Sequence, residues 1–195
     1  MSPPAARTLR ETKKQRTREV IMSVATALFD EHGYDAVTVG AVAEAAEVGQ
    51  RTLYRHFADK EDFLFSGEDE LYDAMKRAAA DAPDGTSGLD VLAHAVRATV
   101  GLLESDRAML VRRARVIART PALQARERTK QAALQQMFVG ELERRGHAQD
   151  RARLVAAVGT ACVGEAITRW LEHEDEGTLA RALDGVEEEL RSLLR

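Results

Sequence analysis

The stretch YDAVTVGAVAEAAEVGQRTLYRHF, residues 34–57, predicts two short helices joined by a tight turn. Thr38 is a natural N-cap for the first helix. Apolar residues follow it at helical spacing, at Val39, Val42, Ala43 and Ala46. The chain turns around residues 47–49, and a second helix places Leu53 and Phe57 one turn apart on one face. Two short helices connected in this way are the signature of a helix-turn-helix unit.

The side of the second helix that lies opposite Leu53 and Phe57 carries amide, hydroxyl and cationic groups. Its members are Gln50, Arg51, Tyr54 and Arg55, with Thr52, His56 and Lys60 at the flanks. Gln and Arg form bidentate hydrogen bonds with base edges in the major groove, whereas Thr, Tyr, His and Lys bond phosphate oxygens. This strip therefore predicts a DNA-reading face. The alternative is an ordinary solvated helix in which Tyr54 packs into the core.

The region before this stretch combines a basic arm with one long helix. We expect a flexible arm over residues 1–11 and a helix over residues 12–32, which Gly33 ends in a C-cap position. Residues 1–18 carry six cations and one anion, whereas residues 61–195 carry nineteen cations and twenty-four anions. A basic end on an acidic body indicates contact with a polyanion; a solvated, disordered tail is the alternative.

The region after the stretch is also expected to be helical. Asp59 is predicted to cap a helix over residues 60–80, and DAPDGTSG, residues 81–88, is predicted to be a loop and hinge. Cap and stop signals farther along indicate about five more helices. We therefore expect an all-α protein of about nine helices, with an N-terminal three-helix helix-turn-helix unit and a C-terminal helical bundle.

Composition excludes several classes of site. Cys162 is the only cysteine, so no intrachain disulfide and no multi-cysteine zinc site can form. The first sixteen residues have no apolar core, which predicts that they are not a signal peptide. The longest run of apolar and small residues, 154–164, has eleven residues and is shorter than a bilayer span requires. We expect a cytoplasmic protein that does not bind a membrane.

Residues 16–65 resemble the DNA-binding domain of TetR-family transcriptional repressors. The matching pieces are ALFDEHGYDAVTVGAVAEAAEV and RTLYRHFADKEDFLF. The resemblance implies a DNA-binding domain over residues 12–58 and a ligand-binding and dimerisation domain over residues 59–195. Two positions depart from the family pattern, since Glu47 replaces a common Gly and Gly49 replaces a common Ser. The turn is therefore expected to be less stable or to have a different shape.

The resemblance also implies roles for individual residues. It implies phosphate contacts from Thr38, Thr52, Tyr54, His56 and Lys60. It implies base-edge contacts from Gln50, Arg51 and Arg55. Arg16 and the basic arm before it would reach the DNA backbone or the minor groove.

Family membership implies a homodimer, and two predicted helices suit its interface. The helix expected over residues 150–173 contains small residues that would let a partner helix approach, at Ala156, Ala157, Gly159, Thr160, Ala161 and Gly164. The last helix, expected over residues 178–194, has a one-sided apolar stripe of Leu179, Leu183, Val186, Leu190 and Leu193. We expect these two helices to form an isologous interface. The alternative is that both helices cover the core of their own subunit.

The resemblance further implies an effector pocket in the C-terminal part. The candidate lining residues are His94, Met109, Arg112, Arg113, Phe138, Cys162, Thr168 and Trp170. Ordinary packing is the alternative for each of them. The segments MLVRRARVIARTPALQAR and AITRWL are similar to a subset of the family that binds acyl-coenzyme A-like ligands, which would place Arg112 or Arg113 near a phosphate or carboxylate. No cofactor is expected.

Together with these features, the resemblance implies a ligand-responsive repressor that binds a palindromic operator in double-stranded DNA as a homodimer and is released by a small apolar or acyl-type effector. An enzyme is one alternative, although the sequence has no glycine elbow around a nucleophile and no phosphate-cradling glycine loop. EHEDE, residues 172–176, could hold a metal but is better explained as a solvated loop. A helical scaffold with a degenerate helix-turn-helix is the other alternative.

Overall fold

The computed structural model describes residues 9–173 and 177–193. The chain forms eleven helices in these two ranges and no strand, which confirms the expected all-α fold. The helices are α1 (Leu9–His32), α2 (Val39–Ala45), α3 (Gln50–His56), α4 (Asp62–Phe65), α5 (Glu68–Asp81), α6 (Gly88–Arg97), α7 (Val100–Glu104), α8 (Arg107–Arg119), α9 (Pro121–Arg144), α10 (Gln149–Glu172) and α11 (Leu179–Leu193).

The helices divide into two compact units. Of the described residues, the first unit contains 9–66 together with Arg112–Thr120, and the second contains Gly67–Val111, 121–173 and 177–193. Helix α8 therefore contributes residues to both units. Most of the basic arm expected over residues 1–11 lies outside the described residues, and the helix α1 already begins at Leu9.

The first unit is held together by aromatic side chains from successive segments. Phe29 of α1 is 2% exposed, and its ring lies 5.0 Å from that of Tyr34 and 6.3 Å from that of Phe63. Phe57 follows α3 and meets Phe63 edge-on at 4.8 Å between ring centroids. Such pairs add to the free energy gained from apolar burial. This cluster fixes α3 by its apolar face.

The prediction of one continuous helix over residues 60–80 is wrong, because the chain forms two helices there. Helix α4 ends at Phe65, and α5 begins at Glu68. Gly67 between them has φ +92°, a left-handed conformation that interrupts an α-helix and that glycine adopts without a steric penalty. Asp59 is not the N-cap, because α4 begins at Asp62 with Glu61 in the cap position, but its carboxylate accepts a hydrogen bond from the N–H of Asp62 at 2.8 Å.

The second unit is built around α10, which packs against α6, α9 and α11. Its core includes Leu92, Phe138, Leu142 and Trp170, each at most 2% exposed. Gly159 of α10 allows the close approach of α6, because a Cβ atom at that position would lie 2.3 Å from Cδ2 of Leu92. Gly159 and the fully buried Ala156 therefore serve packing inside the subunit.

The apolar stripe of the last helix is largely used in the same way. Leu179, Leu183 and Val186 are at most 6% exposed and belong to the core of the second unit. Only Leu193, at the end of the stripe, is 83% exposed. The first three residues of this stripe therefore cover the core of their own subunit, as the alternative interpretation predicts.

Helix α10 also presents an uncovered side. Leu154 is 65% exposed, and Ala161, Gly164 and Thr168 follow it on the surface at spacings of seven, three and four residues. By length and composition alone, α10 is the one helix in the described residues that is apolar enough to cross a membrane. Buried core helices pass the same test, so this property by itself indicates little.

Candidate nucleic-acid interface

The geometry of α2 and α3 is set by a side-chain cap and a tight turn. Oγ1 of Thr38 accepts a hydrogen bond from the N–H of Ala41 at 3.1 Å, as the N-cap prediction requires. Glu47 has φ +54°, which is the positive φ that a glycine would adopt with less strain. Gly49 is the N-cap of α3 and supplies no side-chain hydrogen bond. Both departures from the family pattern therefore fall at the turn, and the turn still forms.

The two faces of α3 differ sharply in exposure. Leu53 is 1% exposed and Phe57 just after the helix is 3% exposed, so the predicted inner face is buried. Tyr54 is 64% exposed, which excludes the alternative that it packs into the core. The exposed side chains on the outer face are those of Gln50, Arg51, Tyr54 and Arg55.

The outer face carries groups that are free to bind another molecule. Within residues 9–173 and 177–193, the side chains of Gln50, Arg51, Tyr54 and Arg55 form no hydrogen bond and no ion pair. Thr52 is half-buried at the flank, and Thr38 and Arg16 are exposed. The arrangement therefore presents amide, phenol and guanidinium groups together on one short, rigid helix.

His56 lies in a different environment from its neighbours on α3. It is 8% exposed, and its ring lies 6.2 Å from that of Phe57. Its Nδ1 atom has no hydrogen-bond partner in the described part of the chain. Burial lowers the pKa of His56, and the positive charges of Arg55, Lys14 and Arg18 lower it further. The imidazole is therefore held towards its neutral form, which suits it poorly for a phosphate contact in the free protein.

Lys60 is also engaged within the first unit. Its ammonium group donates a hydrogen bond to the backbone carbonyl of Tyr34 and lies 4.2 Å from the centroid of the same residue's ring. It lies 5.5 Å from the ring centroid of Phe29. Burial lowers the pKa of Lys60, while the carboxylate of Asp35 raises it. The structure thus gives this cation an internal partner.

Two basic residues of α1 were not singled out from the sequence. Lys14 and Arg18 are one helical turn apart, and both act electrostatically on His56 of α3. The guanidinium of Arg18 lies 5.5 Å from the ring centroid of Phe57. Their i, i+4 spacing in the sequence predicts that both side chains lie on the same face of α1. They bring positive charge from α1 to the flank of α3.

The candidate effector residues are scattered. His94, Arg112 and Thr168 are exposed, Met109, Arg113 and Cys162 are half-buried, and Phe138 and Trp170 are buried. Arg113 donates from Nε to the carbonyl of Leu64 at 2.8 Å and lies 5.0 Å from the ring centroid of Phe65. Arg107 stacks 5.6 Å from the Trp170 ring and donates to that residue's carbonyl. The structure therefore does not bring these candidates together at one site.

A cavity of about 200 Å³ lies between α6, α10 and α11 of the second unit. Apolar side chains form most of its wall, and Cys162 is the one candidate residue that lines it. Burial raises the pKa of the Cys162 thiol, and the nearby Glu187 carboxylate raises it further. Glu187 at the rim is paired with Arg97 at 2.8 Å and with Arg191 at 3.1 Å. The cavity is thus apolar inside, with compensated charge at its edge.

Comparison with known families matches both parts of the chain. A family model described as "Bacterial regulatory proteins, tetR family" matches residues 21–66. A second model, described as "MftR C-terminal domain", matches residues 86–195. Together the two matches cover both the α2–α3 region and most of the second unit.

Two named relatives support the same assignment. MftR of Mycobacterium tuberculosis, a transcriptional regulator named for mycofactocin biosynthesis, is 30% identical over 83% of this chain and 83% of its own length. TcmR of Streptomyces glaucescens, an HTH-type transcriptional regulator, is 35% identical over 64% of this chain. The match spans only 58% of TcmR.

Solved structures share the fold at lower identity. The fatty acid degradation regulator FadR of Bacillus halodurans has a TM-score of 0.64 at 21% identity, covering 88% of this chain and 93% of that one. FadR of Bacillus subtilis, solved in complex with stearoyl-CoA, has a TM-score of 0.61 at 21% identity, covering 87% and 95%. At this identity the likeness shows the fold alone.

Proposed function

The chain belongs to the TetR family of bacterial regulatory proteins, which are DNA-binding transcriptional regulators rather than enzymes, and on that premise we propose that it is a ligand-responsive repressor. It binds a palindromic operator as a homodimer, and a small apolar effector releases it. Because its target is chromosomal DNA, we place it in the cytoplasm.

The exposed outer face of α3 is the observation that carries this proposal. Leu53 and Phe57 anchor the helix, so the opposite side chains are held on a rigid support rather than on a loop. Residues at the N-terminal end of a recognition helix contact base edges in the major groove. We assign base-edge contacts to Gln50, Arg51 and Arg55.

Phosphate contacts are assigned to exposed or half-buried groups around that face. They come from Arg16, Thr38, Thr52 and Tyr54, whose hydroxyl and guanidinium groups suit phosphate oxygens. We assign Lys60 and His56 a supporting role, since the Lys60 ammonium is bound to the Tyr34 carbonyl and the His56 ring is buried. The charge of Lys60 and the packing of both side chains hold α3 in place for the other residues.

For the homodimer we propose the uncovered side of α10 together with the outer side of α11. The exposed Leu154 lies on an apolar face with Ala161 and Gly164, where a second helix can approach closely. A two-fold interface uses the same patch on both subunits, so one such face is sufficient. Burial of this face in a dimer also accounts for the apolar character of α10 without a membrane.

For the effector we propose the cavity beside Cys162. Its compensated rim charges favour an uncharged, apolar molecule. About 200 Å³ is below the usual range for drug-sized ligands, so the cavity suits a compact molecule or a short acyl portion rather than a whole acyl-coenzyme A. Release requires that the effector bind the two conformations of the dimer unequally, and a coupling of about 1–3 kcal/mol would change DNA affinity roughly 5- to 150-fold.

Selection of bound fragments from random DNA by the purified protein tests the proposal. A two-fold symmetric motif is expected, and the double variant Arg51→Ala with Tyr54→Ala should lose it while melting at the same temperature. Leu102→Ala is the matched control, because Leu102 is 61% exposed in the other unit. Absence of any enriched motif would favour the helical scaffold instead.

A thermal-shift measurement tests the effector site. Toluene, as a compact apolar probe, should raise the melting temperature of the protein. Ala93→Leu should abolish this shift, because Ala93 lines the cavity. Ala133→Leu, an exposed position on α9, is the control and should leave the shift unchanged. An equal shift in both variants would place the probe elsewhere.

A further inference from the structure

Gly40 stands where the backbone does not require a glycine. It occupies the first turn of α2, and it is not among the residues of the described chain with positive φ. Alanine is favoured over glycine within helices, so the glycine lowers helix stability without relieving strain. The contacts that a side chain at position 40 would make are therefore informative.

The nearest neighbour of Gly40 is a residue of the DNA-reading face. A Cβ atom at position 40 would lie 3.2 Å from Nε2 of Gln50 and 3.6 Å from Oγ1 of Thr38. The first distance is tight enough that the Gln50 amide would have to move by a few tenths of an ångström, and the second is ordinary van der Waals contact. The side chain of Gln50 thus lies across the start of α2, in space that any residue with a Cβ would partly occupy.

Gln50 is well placed for this contact to affect DNA recognition. It is the first residue of α3, its side chain is exposed, and its amide has no hydrogen bond to any other described residue. No polar partner fixes the amide, and it lies so close to the start of α2 that a Cβ at position 40 would crowd it. Its donor and acceptor remain available to a base edge.

We propose that Gly40 is a positioning residue for base recognition, because its missing side chain allows the Gln50 carboxamide to rest against α2 in the orientation that reads one base pair. This inference depends on the proposed DNA-binding function. It adds a residue of α2 to the determinants of operator sequence, through Gln50 and without a DNA contact of its own.

The physical basis is the narrow geometry of hydrogen bonds. A bidentate amide–adenine pair needs both donor–acceptor distances near 2.9 Å, and such a pair discriminates roughly 5- to 150-fold against the wrong base. A methyl group at position 40 would displace the carboxamide by a few tenths of an ångström. The displacement weakens one base pair's readout and leaves the phosphate contacts intact.

A double-mutant cycle read out by selection from random DNA tests the proposal. The four proteins are the wild type, Gly40→Ala, Gln50→Ala and the double variant. Gln50→Ala should lose the preference at one pair of symmetry-related base positions, and Gly40→Ala should reduce the preference at the same positions by about threefold or more. In the Gln50→Ala background, Gly40→Ala should have no further effect.

Gly140→Ala is the matched control. Gly140 lies within α9, and a Cβ there would have no neighbour within 4 Å. The Gly140→Ala variant should select the same DNA motif as the wild type. Both alanine variants should melt at or above the wild-type temperature, because alanine is the better helix former, so a change of motif in Gly40→Ala cannot be attributed to unfolding.

The outcomes separate this inference from the function on which it depends. If the wild type selects no motif, the proposed function fails. If it selects a symmetric motif and Gly40→Ala selects the identical motif, the inference fails and the function stands. An effect of Gly40→Ala that persists in the Gln50→Ala background would also overturn the inference, since position 40 would then act by another route.

Discussion

Lys60 and Tyr34 are joined by two interactions of different kinds. The ammonium group of Lys60 donates a hydrogen bond to the main-chain carbonyl of Tyr34 and lies 4.2 Å from the centroid of its ring. Tyr34 follows α1, and Lys60 precedes α4, so this contact links the two ends of the segment that contains α2 and α3. It therefore closes the segment that holds α2 and α3.

Replacement of Lys60 by methionine should destabilise the first unit. The variant keeps most of the apolar stem but removes a charge-assisted hydrogen bond and a cation–π contact, which together contribute roughly 1–3 kcal/mol. Urea unfolding followed by circular dichroism measures the loss. Lys76→Met, an exposed position on α5, is the control and should change stability little. Equal stability of the two variants would contradict the structural role of Lys60.

The salt dependence of operator binding should distinguish phosphate contacts from base contacts. Arg16→Gln should reduce the slope of log affinity against log salt concentration by about 0.9, because one fewer counterion is released from DNA. Gln50→Ala should lower affinity for the selected operator with the slope unchanged. Fluorescence anisotropy between about 50 and 200 mM salt gives both slopes. An unchanged slope for Arg16→Gln would remove that residue from the phosphate contacts.

Acid should destabilise the protein through His56. Its pKa in the folded chain lies below the ordinary value of 6.5, so the folded state binds a proton less readily than the unfolded state. The stability that neutral His56 contributes to the folded state is fully present above pH 6.5. It is lost as the pH falls through the lower pKa that His56 has in the folded chain. His56→Gln should flatten the dependence of unfolding free energy on pH below 6.5. Leu102→Ala, an exposed position without a titratable group, is the control and should retain the wild-type pH dependence.

The contact between Gly159 and Leu92 should tolerate no added methyl group. A Cβ on Gly159 would lie 2.3 Å from Cδ2 of Leu92, and overpacking of this kind costs about 1–3 kcal/mol. Gly140→Ala, within α9 and with no neighbour within 4 Å of the added Cβ, should be neutral or stabilising. The melting temperatures of Gly159→Ala and of the control variant, measured by thermal unfolding, test this difference. Leu92→Ala should restore part of the stability lost in Gly159→Ala, and failure to do so would argue against this contact.

Arg145 should be among the most important polar residues for stability. Its Nη2 atom donates to the carbonyls of Ala79 and Ala82 at 2.7 Å, and its Nε donates to the buried Glu141 at 2.9 Å. Arg145→Met leaves these acceptors without the donor and should cost about 2–4 kcal/mol. Arg153→Met, an exposed position on α10, should cost far less. Chemical denaturation of both variants measures the difference.

Local sequence signals were sufficient for much of the DNA-binding unit. Thr38 supplies its predicted cap, Gly33 ends α1 with φ +86°, and Leu53 and Phe57 are buried as their spacing indicated. Each of these features depends on residues within one or two turns of each other. Such features can be read from a single sequence because the chain itself keeps these groups close together.

The break between α4 and α5 shows where local signals compete. Good helix formers follow Gly67 at Glu68, Glu70 and Leu71, and a single glycine costs a helix only about 1 kcal/mol, so these local signals favour a continuous helix. The packing of Phe63, Leu64 and Phe65, each at most 2% exposed, instead fixes α4 as a separate turn. The burial of three consecutive apolar residues decided the outcome, and this depends on distant partners.

The sequence alone determined the helical class, the helix-turn-helix and the polar face opposite Leu53 and Phe57, because these follow from periodicity and caps along a few neighbouring residues. Only the tertiary structure decided that Lys60 binds the Tyr34 carbonyl, that His56 is buried beside cations of α1, and that the stripe of α11 covers its own core. It also decided which candidate lines the cavity. These outcomes require contacts between segments far apart in the chain, and a side chain's partner is fixed only when packing brings those segments together.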